Sequence, residues 1–142
     1  MISNNNTLVD AIMSDVKVEV LRSNAVLPAN LPFPDGVRVN DLVILSGQIG
    51  VKPGTLTLVA GGIEAEARQT FENLRLTLEA HGMKLTDVVR AQIMLADMSE
   101  WQRFNAVYLE FFPDAAPARS AFGANGLALG ARVEIEVFAV RR

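Results

Sequence analysis

Arg119 opens and Glu134 and Glu136 nearly close the segment PARSAFGANGLALGARVEIEV, residues 117–137. It reads as two mostly apolar strands around a glycine-rich turn, a hairpin in which a cation and two carboxylates are out of place. A guanidinium in apolar surroundings costs several kcal/mol unless it meets an anion. That anion can be internal, from Asp114, Glu134 or Glu136, or it can be a ligand carboxylate, which the planar fork of Arg119 holds through two charge-assisted hydrogen bonds. Glu134 and Glu136 lie two apart in VEIEV, so on a strand both point away from Val133, Ile135 and Val137. A solvated sheet face accounts for such a pair. In a half-buried pocket, one of them becomes a general base worth about 10²–10⁴ in rate.

Few other residues offer chemistry. There is no cysteine, which excludes disulfides, thiolate catalysis and cysteine-based metal sites. The single histidine, His81, is the one group able to complete a Ser/His/Asp arrangement, and its place at a helix end favours a terminal, capping role. Gly61-Gly62 lacks the following Lys-Ser/Thr of a phosphate-binding turn and reads as a helix entry. Trp101 and its aromatic neighbours lie at helical spacing and read as core. Lys and Arg total 13 against 16 Asp and Glu, a net charge of −3 with a pI of about 5.1, which disfavours nucleic acid as a partner.

The elements that must position these residues follow from hydrophobic period. VKVEVL (16–21) alternates and predicts a strand; ANLPFPDGV (29–37) is a proline-fixed loop; DLVILSGQIG (41–50) is a buried strand that bends at Ser46-Gly47. Ile63, Ala67, Phe71, Leu74 and Leu78 form one apolar stripe and predict a helix over 63–80, ended by Gly82. VVRAQIMLA (88–96) alternates Val89, Ala91, Ile93 and Leu95 as a strand. SEWQRFNAVYLEFF (99–112) predicts a second helix, with Ser99 and Gln102 at capping-box spacing, Phe104, Val107, Tyr108 and Phe111 on one face, and Pro113 as its stop. Helices separated by single strands favour a layered α/β or α+β domain with both helices on one face of a mixed sheet. Half of the 142 residues are apolar and mean hydropathy is +0.25, a surplus that points to a subunit interface. It does not point to a membrane, because runs such as LVILSGQIGV break well short of the roughly 18–20 residues a spanning helix needs. MISNNNTLVD has neither a basic n-region nor an apolar h-region, so the expected compartment is the cytoplasm.

In order along the chain, LPFPDGV (31–37), LVILSGQIG (42–50), IEAEARQTFENLRLTLEAHG (63–82), DVVRAQIMLADMSEW (87–101), FNAVYLEFF (104–112), PARS (117–120) and VEIEVFAV (133–140) resemble the RidA/YjgF family of enamine/imine deaminases. The likeness covers residues 29–142; residues 1–28 stand apart as an N-terminal arm with a possible strand. It implies a fold similar to Bacillus chorismate mutase, assembled as a homotrimer with sites in clefts between subunits. It also implies hydrolysis of 2-imino acids to 2-keto acids and ammonia, with neither metal nor organic cofactor. The family's carboxylate-binding arginine falls on Arg119 and its water-activating glutamate on Glu134. The carbonyl that faces the imine nitrogen falls on Ala121, the Ser-Gly pocket wall on Ser46-Gly47, and the helix asparagine on Asn105. Phe33 stands where many deaminating members carry tyrosine, and Ala121 where cysteine is frequent. Two other expectations stay open beside this one: a non-catalytic trimer that binds small carboxylates or a partner protein, and a hydrolase of another activated C–N bond.

Overall fold

The computed structural model describes residues 15–114 and 116–142. The predicted apolar stripe forms helix α1, Gly62–Ala80, and all five of its residues have no accessible surface. Burying each large one stabilises the fold by about 1.5–3 kcal/mol. Gly61 (φ 121°) and Gly62 (φ 78°) lead into it through positive-φ backbone that side chains disfavour. Helix α2, Trp101–Phe111, lays Phe104, Val107 and Tyr108 inward, and Phe71 of α1 meets the Phe104, Tyr108, Phe111 and Phe112 rings at 4.8–6.1 Å between centroids. Trp101 is 41% exposed rather than core, and the expected Ser99/Gln102 capping box does not form. Instead the Ser99 amide donates to the Asp97 carboxylate at 2.9 Å, one turn earlier, so the chain enters α2 through a 3₁₀ turn at Met98–Glu100.

Six strands make one mixed sheet: β1 (Val18–Leu21), β2 (Gly36–Val39), β3 (Leu42–Leu45), β4 (Val88–Leu95), β5 (Ala118–Gly123) and β6 (Val133–Val140). Their spatial order is β1-β2-β3-β6-β4-β5, antiparallel throughout except for the parallel pair β4/β5. The expected hairpin of β5 and β6 is therefore not a hairpin, because β4 lies between them. Residues 124–132 carry the chain across the end of β4, with the Ala124 amide on the Leu95 carbonyl and the Ala96 amide on the Arg132 carbonyl. β4 also departs from strict alternation. A register shift between Val88 and Arg90 leaves Val89 facing out while Ala91, Ile93 and Leu95 stay buried.

Both helices pack on one face, against Val43 and Leu45 of β3, Ala91 and Ile93 of β4, and Val133, Ile135 and Val137 of β6, in a single core. Among the described residues no helix covers the other face, and it leaves Val18, Val20 and Phe122 at 66%, 56% and 43% exposure. The composition's apolar surplus sits partly there. No helix among the described residues is long and apolar enough to cross a membrane. Of the expected arm, residues 1–14 lie outside the described residues, and Val18–Leu21 form β1 against β2.

Candidate active site

Glu134 stands at the middle of the sheet. The strict alternation of β6 sends Val133, Ile135 and Val137 into the core and Glu134 and Glu136 to the opposite face, as the sequence predicts. Past β3, the bend at Ser46-Gly47 brings the chain back to β6, where Gln48 and Ile135 exchange both backbone hydrogen bonds at 2.9 Å. Buried polar groups of α1 fix this bend. Thr77 Oγ1 accepts from Gln48 Nε2 at 2.9 Å, and Asn73 Nδ2 donates to the Val51 carbonyl at 2.9 Å. Gly47 meets the carboxylate so closely that a Cβ there would stand 2.6 Å from Glu134 Oε2. On the other side, the Arg132 amide donates to Glu66 Oε1 and its guanidinium to Glu100 Oε1, both at 2.9 Å, which ties the start of β6 to α1 and to the turn before α2.

A cavity of about 380 Å³ opens over Glu134, walled by Ser46, Gly47, Phe33, Leu31 and Leu129 among others. Burial pushes the Glu134 carboxyl above its ordinary value of 4.5, and the negative neighbour Glu136 adds to the rise. A carboxylate so placed is a stronger base than one in water. Among the described residues neither a cation nor a hydrogen bond is there to spend that basicity.

Arg119 lies on β5, the edge strand. Its partner in register is Ala91, a core residue, so its side chain turns to the helix face. There Nη1 donates to Asn105 Oδ1 at 2.8 Å, and the guanidinium carbon sits 4.6 Å from the centroid of the Tyr108 ring. Asn105, Tyr108, Leu109, Pro117 and Arg119 line a second cavity of about 370 Å³. Of the counter-ions the sequence left open, Asp114, Glu134 and Glu136, none pairs with it; among the described residues its polar contact is with the neutral Asn105. The Ala124 amide bonds to Leu95, and alternation along β5 then turns the Ala121 carbonyl to the sheet's free edge, on the same side of the strand as the Arg119 backbone.

The predicted residues thus fall into two groups. Phe33, Ser46, Gly47 and Glu134 share one cavity; Asn105 and Arg119 share another, beside the edge that carries Ala121. Glu134 faces away from the helices and Arg119 towards them, so a single chain does not bring the cation and the base onto one small molecule. Among the described residues Arg119 has no carboxylate partner and borders one cavity, and Glu134 is a carboxylate at a second, mostly apolar one. Among the described residues no cluster of three potential metal ligands forms.

The profile of a protein family described as "Endoribonuclease L-PSP" matches residues 23–141. The chain belongs to this family, the RidA/YjgF family. It is 38% identical over 125 residues to the bovine (Bos taurus) 2-iminobutanoate/2-iminopropanoate deaminase, covering 87% of this chain and 91% of that protein. A mite relative of the same name, from Dermatophagoides farinae, is 41% identical over 109 residues, 77% of this chain and 85% of the relative. The RidA/YjgF fold extends to the crystal structure of the YjgF gene product from E. coli, with a TM-score of 0.80 and 33% identity over 87% of this chain and 99% of that one.

Sequence reasoning missed Tyr108 at the site, reading it only as core. Asn105 and Tyr108 are three apart on α2 and share a helix face, a spacing that links the tyrosine to any site the asparagine joins. The leucines around Glu134 carried no such signal, since Leu27 and Leu31 come from the loop between β1 and β2 and Leu56 and Leu129 from two other loops.

Proposed function

We propose that this chain is a cofactor-independent deaminase that hydrolyses 2-imino and enamine acids to 2-keto acids and ammonia. Arg119 binds the substrate carboxylate through its planar fork, held in place by Asn105 and by the Tyr108 ring. Glu134 takes a proton from water as that water's oxygen bonds to the imine carbon. Glu134 passes that proton to the nitrogen, the hydroxyl proton of the resulting aminoalcohol follows it to the nitrogen as the C–N bond breaks, and the keto acid and ammonia leave. The Ala121 carbonyl, on the free edge of β5, accepts a hydrogen bond from the substrate nitrogen. The imine carbon is already electrophilic, so the protein needs only to orient it and to place water. A general base worth 10²–10⁴ supplies about 3–5 kcal/mol, enough for a reaction that also runs unaided.

The observation that carries this reading is Arg119, poised at a cavity and held by a neutral amide and an aromatic ring instead of a carboxylate. The name of the deaminase relatives supplies the substrate class. Because Arg119 and Glu134 lie on opposite sheet faces, the working unit in this proposal is a homotrimer in which one subunit's Arg119 meets a neighbour's Glu134. The exposed apolar face supports such an assembly. Residues 29–142 form the deaminase domain, the preceding segment adds β1 and the pocket residue Leu27, and the assigned compartment is the cytoplasm.

The test is to generate 2-iminopropanoate or 2-iminobutanoate in situ with an amino-acid oxidase and to follow imine loss. The wild-type protein speeds the loss, and Arg119→Ala brings it back to the spontaneous rate. Equal rates with and without the wild-type protein would remove the assignment.

A further inference from the structure

We propose that the Glu134 cavity selects 2-imino acids with bulky apolar side chains, and that Leu129 sets this preference. The inference rests on the deaminase reading and adds the substrate's side chain to it. Three observations carry it. The first is size: about 380 Å³ lies beside Glu134, whereas a three-carbon imino acid fills roughly 100 Å³ at about 30 Å³ per water-sized unit. The space left over has room for a substrate side chain beside the neighbouring subunit's arginine.

The second is chemistry. Leu27, Leu31, Phe33, Val51, Leu56 and Leu129 contribute apolar wall. The donors of the lining are engaged: Ser46 Oγ donates to the Pro34 carbonyl at 2.8 Å, and Gln48 Nε2 donates to Thr77 at 2.9 Å, while Gln48 Oε1 has no hydrogen-bond partner among the described residues. Gln48 Oε1 has almost no accessible surface. Among the described side chains of this wall, only Glu134 and the acceptor lone pairs of Ser46 Oγ are left to meet a polar substrate side chain, and no donor is left for one. A polar side chain entering it would lose water with little compensation. Phe33, without a tyrosine's hydroxyl, extends the same apolar character.

The third is strain. Leu129 has φ 58° and ψ 16°, left-handed backbone that a leucine disfavours, and its side chain is 57% exposed at the cavity. Nothing in local sequence preference rewards a large apolar residue there; Asn or Gly would take the same backbone more readily. A strained, exposed leucine on the wall of the cavity fits a residue kept for contact with the substrate.

The experiment compares kcat/KM for imines generated in situ from alanine, leucine and glutamine, in wild type and in Leu129→Asn, which keeps the left-handed backbone while removing apolar wall. At about fourfold per buried methylene, the leucine-derived imine is favoured over the alanine-derived one by about tenfold or more, and the glutamine-derived one gains nothing. Leu129→Asn cuts the leucine-to-alanine ratio about threefold or more. Calorimetry with 4-methyl-2-oxopentanoate and pyruvate repeats the comparison without turnover. Equal or reversed preference in both assays, or a ratio untouched by Leu129→Asn, overturns the inference even if 2-iminopropanoate is hydrolysed. Discrimination in binding with no imine hydrolysis upholds the cavity's preference and overturns the deaminase reading instead.

Discussion

Around Arg119 the protein spends polar and aromatic contacts without spending charge; around Glu134, among the described residues, it places neither a cation nor a hydrogen bond. The arginine sits at a sheet edge, steadied by Asn105 and Tyr108. The glutamate sits mid-sheet on the other face, in an apolar cavity, with its carboxyl pushed towards the protonated form. In the proposed mechanism the contrast follows from two tasks. A cation that must receive a carboxylate has to be aimed but not neutralised, because an internal ion pair would have to break first. A carboxylate that must take a proton from water gains from desolvation, which raises its affinity for that proton.

The largest test of this contrast is Glu134→Gln, which keeps the shape and removes the base. The expected fall in kcat is about 10²–10⁴. Because only the ionised carboxylate acts as base and its pKa is raised, wild-type activity should decline on acidification at a pH above the ordinary glutamate value of 4.5. The same shift has a stability consequence of definite sign. A raised folded-state pKa stabilises the fold below the unfolded pKa, and that contribution is lost as pH rises through the folded pKa. At neutral pH, Glu134→Gln should therefore melt at a higher temperature than wild type, a gain in stability alongside the loss of turnover that thermal denaturation will detect.

Gly47→Ala probes the position of the base. The three atoms nearest to an added Cβ all belong to the Glu134 side chain, the closest at 2.6 Å, so the carboxylate must move. A displacement of about an ångström costs on the order of 10² in rate. The expectation is a fall in kcat with little change in KM. On the other side, Asn105→Ala frees Arg119 Nη1 without discharging it. The expected result is a rise in KM of about tenfold, the smallest effect of the set, since a single hydrogen bond to a charged group is at stake.

Most elements were legible because their signals are local. The α1 stripe and the alternation of VEIEV report burial directly, and the bend at Ser46-Gly47 appears where the sequence places it. Pairing was not legible. A glycine-rich link between two apolar strands suggests a hairpin, yet β5 runs parallel to β4, and which neighbour a strand takes depends on the whole sheet. The separation of Arg119 and Glu134 onto opposite faces was hidden for the same reason. The face of β5 is set by its register with Ala91 of β4, which no spacing within residues 117–137 encodes. The start of α2 turned on a single side chain, with Asp97 reaching the Ser99 amide before the Ser99/Gln102 pair could act.

The central claim is that one chain holds half a site twice over, a cation on one face and a base on the other. Its most direct measurement mixes subunits of Arg119→Ala with subunits of Glu134→Gln, after unfolding and joint refolding, and follows hydrolysis of 2-iminobutanoate. Random assembly from equal parts leaves about a quarter of the interfaces with an intact arginine facing an intact glutamate, so about a quarter of wild-type activity should return from two inactive parents. Mixed trimers that form but stay as inactive as either parent would contradict the account.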